Sequence, residues 1–214
     1  MNWKEKKKYE TLLARERGVV KKVWGTGLTV CLAYPNLYRI GMANLGFQTV
    51  YKIINELPSL LCERVFLPAG GDAEYAAGAV ELLSLENQKP LRDFDVLAFS
   101  VSFENDYPAI LKMLALGGIP LCAKDRADGH PLVIGGGIAL TLNPEPLADF
   151  FDAFLTGEAE ETLPGFARML AEVRPSGPGR EALLASLQKK MPGVYVPSLY
   201  EVQYFPDGRI RGMA

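Results

Sequence analysis

The feature that most constrains the fold is a regular alternation between short, almost wholly apolar segments and longer segments with helical periodicity. A short apolar run without intervening polar residues is typical of a strand buried on both faces of a sheet. A helix between two such strands returns the chain for a parallel pairing, normally through a right-handed crossover. The alternation therefore predicts a parallel sheet with helices on its faces.

Five strands are predicted in this way, at residues 28–34, 60–67, 95–101, 131–134 and 150–155. The helical patterns between and after them cover residues 43–57, 72–83, 107–116 and 158–173. This order predicts an α/β domain at residues 28–174, with a Rossmann-like or flavodoxin-like parallel sheet of about five strands and flanking helices.

Two shorter regions flank this domain. Residues 1–27 form a basic extension with a helical pattern, and residues 1–24 carry eight Lys or Arg against three Glu. A solvated helix and a docking surface both fit this pattern. No platform of aromatic and basic side chains accompanies the charges, so nucleic acid is not an expected partner. Residues 175–214 are predicted to hold a linker, a helix and a small C-terminal β-hairpin that includes Tyr195.

Composition restricts the compartment. No apolar run reaches the roughly 18 to 20 residues that span a bilayer, and no apolar segment after the charged N-terminus marks a secretory signal. The cysteines Cys31, Cys62 and Cys122 are odd in number and lie in apolar runs, as expected in a reducing compartment. They are too scattered for a metal knuckle or an iron–sulfur cluster. These features predict a cytoplasmic protein without a metal site or a membrane partner.

A ligand cleft is predicted where the strands end, because ligands of open parallel sheets bind beyond the carboxyl ends of the strands. The segments there are small or polar, at residues 34–41, 68–71, 100–105, 135–137 and 156–161. The Gly135–Gly137 run lacks the G-x-G-x-x-G spacing of dinucleotide sites. The one histidine, His130, precedes a strand and so belongs to the opposite edge. No catalytic residue is therefore predicted.

Residues 33–47, 90–100, 135–152, 156–161 and 193–197 together resemble one known family. They are similar to the N-terminal, cobalamin-binding-like domain of a subgroup of radical S-adenosylmethionine (radical SAM) proteins. The resemblance implies a corrinoid at the carboxyl ends of the strands. The residues that it assigns to this site are Asn36, Tyr38, Gly41, Ser100, Ser102, Gly135, Gly136, Gly137, Gly157 and Glu158.

The resemblance also implies a role for each group of residues. Gly135–Gly137 and Ser100–Ser102 would line the channel for the nucleotide tail, whereas Asn36, Tyr38 and Gly41 would face the lower side of the corrin. Cobalamin domains of the mutase kind carry the cobalt-ligating histidine at the position of Tyr38. A neutral phenol is a poor substitute for an imidazole nitrogen, so any bound corrinoid would lack the usual histidine ligand.

Radical SAM enzymes hold a [4Fe–4S] cluster through C-x-x-x-C-x-x-C, which this chain lacks. The resemblance therefore places the cluster and S-adenosylmethionine in a downstream radical SAM barrel of the same polypeptide, which would also be the partner of this domain. The chain by itself is not expected to be catalytic. Two functions stay open: a cobalamin-binding module, or a cofactor-free structural and interaction domain that docks on the barrel or on another partner.

Overall fold

Six strands form the main sheet in the computed structural model, which describes residues 3–25, 27–68, 82–173 and 179–213. The strands are β1 (Leu28–Tyr34), β2 (Leu60–Phe66), β3 (Val96–Ser100), β4 (Leu132–Gly136), β5 (Ala153–Leu155) and β6 (Val194–Tyr195). Their spatial order is β2-β1-β3-β4-β5-β6; the first five are parallel, and β6 is antiparallel to β5. The predicted α/β fold is confirmed, with one strand added.

Seven α-helices are present in the described part of the chain. They are α1 (Trp3–Leu13), α2 (Tyr38–Gly41), α3 (Leu45–Glu56), α4 (Tyr107–Leu116), α5 (Ile138–Leu142), α6 (Ala159–Val173) and α7 (Arg180–Lys190). The short α2 and α5 were not predicted, because one turn leaves no helical periodicity to read. Most of the helix predicted at 72–83 lies outside the described residues, and Leu83 forms an isolated bridge with Pro90. No helix among the described residues is long and apolar enough to cross a membrane.

The C-terminal region differs from the prediction in its strand partners. Tyr195 pairs with Phe154 in the main sheet, and the two rings stack with their centroids 5.9 Å apart. The small hairpin instead consists of β7 (Val202–Tyr204) and β8 (Ile210–Met213). Because Val194 and Val196 are buried, pairing with β5 removes more apolar surface from water than a free-standing hairpin would.

The fifth strand is shorter than predicted, because residues Glu145–Phe150 form a 3-10 helix. The strand begins only after Asp152, whose Oδ2 accepts hydrogen bonds from the Val133 backbone N–H at 2.7 Å and from Arg126 Nη1 at 3.1 Å. Arg180 adds a contact of 2.7 Å to the same oxygen. This buried cluster fastens the start of α7 to the amino edge of β4.

The sheet separates two apolar cores. Alternate residues of a strand face opposite sides, so Val30 and Leu32 face one core while Cys31 and Ala33 face the other. Helices α3 and α6 pack side by side on the first face, and α4 covers the second face. The space between α3, α6 and the sheet holds the site described next.

Candidate functional site

The carboxyl edge of the sheet contains a topological switch point between β1 and β3. From β1 the chain proceeds to β2 on one side, whereas β3 leads through β4 to β5 on the other side. The loops after β1 and β3 diverge at such a point and leave a crevice, which is where open α/β sheets bind ligands. Residues 35–44 and 101–106 form these two loops.

Two side-chain hydrogen bonds bridge the loops at the switch point. Asn36 Nδ2 donates to Asp106 Oδ1 at 2.9 Å, and Asn44 Nδ2 donates to Ser102 Oγ at 3.0 Å. The Asn44 carboxamide oxygen also caps α3 by accepting from the Phe47 backbone N–H. Burial raises the pKa of the Asp106 carboxyl, and the hydrogen bond from Asn36 partly offsets this rise. Asp106 and Asn44 were not predicted, since only the fold brings them to Asn36 and Ser102.

Tyr38 is held by contacts within the chain. Its hydroxyl donates to Glu16 Oε1 at 2.6 Å, and its ring lies edge-on to Phe66 with the centroids 5.3 Å apart. Burial, followed by the hydrogen bond to the Glu16 carboxylate, raises the pKa of Tyr38 to about 12. The phenol therefore stays neutral and is engaged by the N-terminal segment.

Arg64 fixes the position of Glu16. This buried guanidinium lies 2.8 Å from Glu16 Oε2 and 2.7 Å from Glu86 Oε1, and its carbon Cζ lies 4.4 Å from the centre of the Tyr51 ring. The chain thus builds a buried ion-pair network behind the turn after β1.

Gly41 is required for close packing. A Cβ at Gly41 would lie 2.5 Å from Phe66 Cε1 and 3.0 Å from Tyr34 Cγ. The α2 turn therefore rests directly on the two rings, and the face of Gly41 that a side chain would occupy is closed. Neither Tyr38 nor Gly41 lines the cavity described next.

A cavity of about 360 Å³ lies between the sheet and the helices α3 and α6. Residues of β1, β3, β4 and β5 form its floor, and the turns after β4 and β5 contribute exposed residues to its lining. Six of the ten residues assigned from the sequence line it: Ser100, Gly135, Gly136, Gly137, Gly157 and Glu158. Asn36, Tyr38, Gly41 and Ser102 are not part of this lining.

Gly137 determines the course of the chain beside the cavity. Its φ of +108° lies in a region that residues with a side chain rarely adopt, and a Cβ there would collide with the carbonyl oxygen of Val101. The Val101 N–H donates to Gly136 O at 2.9 Å. The backbone itself, free of side chains, thus forms the wall at the end of β4.

The lining is apolar inside, and where it meets solvent it carries polar side chains together with the exposed Ile138. The buried members are hydrocarbon side chains such as Leu32, Ile54 and Phe166, whereas Glu158 and Glu160 are exposed. No lysine, arginine or histidine is present among the described residues of the lining. The site therefore offers shape and apolar surface, and no cation for a phosphate.

The helix residues of the lining were not assigned to a site from the sequence. Thr49, Val50 and Ile54 of α3 face Leu163 and Phe166 of α6 across the cavity. Their helical spacing predicts that they face the core. A pattern of this kind does not indicate that two helices leave a space between them, so the sequence contained no signal for their role.

The cysteines do not form a metal site in this fold. Cys31 and Cys62 are buried on opposite faces of the sheet, and burial raises the pKa of both thiols. Within the described ranges, no group of three or more His, Cys, Asp or Glu side chains is arranged to hold a metal ion. The three cysteines therefore do not fit a [4Fe–4S] cluster in this domain.

Comparison with known proteins gives one family and one curated relative. Residues 46–197, well over half of the chain, match the family model described as "Radical SAM proteins, N-terminal". An uncharacterized protein of Methanocaldococcus jannaschii is 27% identical over 133 residues, which cover 61% of this chain and 24% of that protein. The match thus spans about a quarter of the length of this relative. No solved structure gives a significant match.

Proposed function

This chain belongs to the family of N-terminal domains of radical SAM proteins, and on that premise we propose that it binds a corrinoid at the carboxyl edge of its sheet. The observation that carries the proposal is the cavity between α3, α6 and the sheet, whose lining includes exposed residues of the turns after β4 and β5. The apolar interior suits the nucleotide base of a corrinoid, and Gly136 and Gly137 allow close approach of the ligand to the backbone.

The turn after β1 defines how such a ligand would be held. Tyr38 is bound to Glu16, and α2 rests on the Phe66 ring, so this turn supplies neither an imidazole nor a free phenolate to cobalt. We infer that the domain would hold a corrinoid by enclosing only the nucleotide base of its tail and not by a protein nitrogen ligand. When bound, a corrinoid supplies a cobalt centre that carries methyl groups or takes part in radical chemistry.

The remaining chemistry is assigned to a downstream domain. The family implies a [4Fe–4S] cluster and S-adenosylmethionine in a radical SAM catalytic domain, and the cysteines of this chain do not fit such a cluster. The greater length of the curated relative leaves room for one. We propose that this chain presents its carboxyl edge to that domain, which is its partner within the same polypeptide.

The test is a visible-absorption titration of the 214-residue chain with hydroxocobalamin and methylcobalamin, followed by desalting. Retained corrinoid, with the methylcobalamin spectrum shifted toward the base-off form, is expected. Ala167→Leu places three extra carbons in the cavity wall and should weaken binding about tenfold or more. Ala115→Leu makes the same change at an exposed position of α4 and should leave binding unchanged.

A second function has its own support at the same edge. Leu45, Phe103, Ile138 and Leu142 are all well exposed there, and clustered apolar residues mark interaction surfaces. If neither corrinoid is retained at high micromolar protein, a cofactor-free domain that docks on the catalytic domain becomes the better proposal. Phe103→Ser would then be expected to reduce binding to the separately produced catalytic domain, whereas Tyr204→Ser on the hairpin would not.

A further inference from the structure

The segment before the sheet follows helix α3 from one edge of the domain to the other, and we call residues 3–25 the N-terminal strap. Its first polar anchor binds the turn after β1 at the carboxyl edge, and its last anchor lies beside the start of β3 at the amino edge. The anchoring residues are, in chain order, Glu16, Val20, Lys22 and Trp24. The strap thus connects the two edges of the sheet.

The anchor at the carboxyl edge shares its cation with a second carboxylate. Glu16 accepts a hydrogen bond from the Tyr38 hydroxyl and lies 2.8 Å from Arg64 Nη1. Arg64 also pairs with Glu86, whose side chain is fully buried, whereas the Glu16 side chain keeps 10% of its surface exposed. Arg64 therefore retains a partner when Glu16 departs. Its buried Nη2 has no hydrogen-bond partner among the described residues, so water that enters on release offsets part of the loss.

The middle anchor and the lysine bind groups of α3 and of the chain that follows it. The Tyr51 hydroxyl accepts from the Val20 N–H at 3.1 Å and donates to the Val20 carbonyl oxygen at 3.2 Å. Lys22 Nζ donates to three carbonyl oxygens at the amino edge, at 2.6, 3.0 and 2.7 Å, those of Asn55, Leu57 and Leu60. A lysine suits this place because the last carbonyl groups of a helix lack partners within the helix.

The strap contributes little apolar surface to the core. Of the side chains that the structure describes within residues 6–25, only Leu13 is buried. The other apolar residues that reach the core, such as Leu12 and Val19, are only partly buried. Segments with few buried apolar contacts open locally at a lower free energy than the core does. The strap therefore has the composition of a segment that detaches before the sheet unfolds.

The strap joins the sheet through a bend at Gly25. Before the bend, the Trp24 ring lies edge-on to Phe94 with the centroids 4.9 Å apart, and Lys89 Nζ lies 5.1 Å from the centre of the same ring. At Gly25 the φ angle is +86°, which glycine adopts readily, and an added Cβ would meet nothing within 4 Å. The backbone at Gly25 is therefore free of packing contacts that would resist rotation of the strap.

We propose that the N-terminal strap is a releasable lock on the turn after β1. It leaves the domain as one unit about the bend at Gly25 while the sheet stays folded, and its release frees the Tyr38 hydroxyl and exposes Arg64 to solvent. Because Met42 Sδ also lies 3.2 Å from Arg64 Nη1, the whole α2 turn depends on the network that Glu16 completes. This regulation of the carboxyl edge goes beyond the proposed function and does not require a corrinoid.

Amide hydrogen exchange of the full 214-residue chain, followed by mass spectrometry of its peptides, tests the opening without any substitution. Residues 14–25 and α2 are expected to exchange at least about tenfold faster than β1 and β3, through an opening that leaves the sheet protected. Exchange of the strap only together with the strands, in global unfolding, would overturn the proposal. The wild-type measurement decides this point even where a variant fails to fold.

A substitution at the amino edge tests whether the strap acts on α2 as one unit. Lys22→Met removes the bonds to the three carbonyl oxygens, keeps the hydrocarbon chain and leaves every contact at the carboxyl edge in place. It should nevertheless raise the rate of amide exchange in α2 about tenfold. Lys21→Met makes the same change at an exposed neighbour and should leave this rate unchanged. An unchanged rate in a folded Lys22→Met chain would overturn the proposal, because the anchors would then act separately.

The reverse experiment changes the carboxyl edge and measures the amino edge. In a Trp3→Phe chain, Trp24 is the only tryptophan, so quenching of its fluorescence by acrylamide reports the release of the strap. Glu16→Gln in this background should increase quenching severalfold, whereas Glu10→Gln at an exposed position of α1 should not. Quenching unaltered by Glu16→Gln would restrict the role of Glu16 to its own contacts and overturn the proposal. Neither readout involves a corrinoid, so failure of the proposed function leaves both tests intact.

Discussion

Asn36 Nδ2 donates a hydrogen bond to Asp106 Oδ1 at 2.9 Å, which fastens the turn after β1 to the start of α4. The same asparagine accepts the Leu37 N–H on its side-chain oxygen, and its backbone oxygen accepts the Leu67 N–H. One residue thus connects the segments that follow β1, β2 and β3 at the carboxyl edge. The geometry of the switch point therefore depends on this pair as well as on the sheet.

The first prediction concerns the pH dependence that Asp106 confers. Burial raises the pKa of its carboxyl in the folded chain, so the folded state binds this proton more tightly than the unfolded state does. The contribution of Asp106 to stability is then greatest below its unfolded pKa of about 3.9 and falls as pH rises toward its folded pKa. Asp106→Asn keeps an acceptor oxygen for Asn36. Its effect on the free energy of unfolding, relative to the wild-type chain, should therefore be more stabilising at neutral pH than at acid pH.

Urea denaturation across this pH range measures the effect. Asn36→Ala is expected to have the opposite effect on the pH dependence, because the hydrogen bond from Asn36 lowers the pKa of Asp106. Its loss should make the stability of the chain depend more steeply on pH. If Asp106→Asn changes the free energy of unfolding by the same amount at every pH, the carboxyl of Asp106 does not titrate as described.

The second prediction ranks three glycine substitutions. Gly137→Ala should reduce the free energy of unfolding by about 3 kcal/mol or more, because it adds a collision with Val101 O to the strain of a positive φ. Gly157 also has a positive φ of +98°, but a Cβ there would lie 4.0 Å from its nearest neighbour, Thr162 Cγ2. Gly157→Ala should therefore cost only the strain, about 1–2 kcal/mol.

Gly129→Ala is the control for this series, since its added Cβ has no neighbour within 4 Å and its φ is not positive. Its effect should stay within about 0.5 kcal/mol. Chemical denaturation of the three variants gives the ranking directly. A Gly137→Ala chain as stable as the Gly157→Ala chain would contradict the described approach of β4 to Val101.

The third prediction concerns the buried cation on β2. Arg64→Met removes the partner of Glu86, a carboxylate whose side chain is fully buried, and should destabilise the chain by about 3–5 kcal/mol. Lys52→Met breaks the exposed pair with Glu56, which is 3.7 Å long, and should change stability by at most about 1 kcal/mol. Urea denaturation of both variants measures the two losses of free energy of unfolding. Losses of similar size would argue against a buried ion pair between Arg64 and Glu86.

The fourth prediction concerns alkaline pH. The pKa of Tyr38 in the folded chain is raised to about 12, so the folded state retains this proton between the unfolded value of about 10 and that pH. The contribution of Tyr38 to stability is complete below the unfolded pKa and is lost as pH rises through the folded one. Tyr38→Phe should reduce this alkaline loss and cost about 1 kcal/mol at neutral pH by removing the bond to Glu16.

Absorbance at the tyrosinate band measures the titration. The variant should lose one phenol that ionises near pH 12, whereas Tyr195, whose pKa is also raised to about 12, should titrate as before. Cobalamin retention should be unchanged in Tyr38→Phe, because the hydroxyl is engaged with Glu16. A loss of retention without a loss of folding would show that the phenol contacts the corrinoid.

The strands illustrate what can be read without a structure. The predicted limits of the first strand, residues 28–34, coincide with β1, because every residue of this strand is buried and its apolar run is unbroken. The last strands were less predictable. Of residues 150–155, only Phe150 belongs to a 3-10 helix and only Ala153–Leu155 to β5. Between them, the Asp152 side chain accepts the Val133 N–H, a long-range contact that the apolar pattern does not indicate.

The candidate site was also assigned only in part from the sequence. The turns with Gly135–Gly137 and Gly157–Glu158 were assigned from the sequence, because loops at the carboxyl ends of parallel strands meet at one edge whatever the details of packing. Whether the assigned residues bind a corrinoid stays a prediction. The helix residues Thr49, Val50 and Phe166 were not assigned, because the separation between two packed helices depends on side chains distant in sequence.

The sequence by itself therefore determined the class of fold and the family of the chain, and it predicted the carboxyl edge as the place for a ligand. These follow from local periodicity and short motifs, which act over a few residues. Only the tertiary structure decided that Tyr38 is bound to Glu16, that Asp106 joins Asn36, and that α3 and α6 enclose an apolar cavity. Such contacts join residues far apart in the chain, and their geometry is set when the elements pack together.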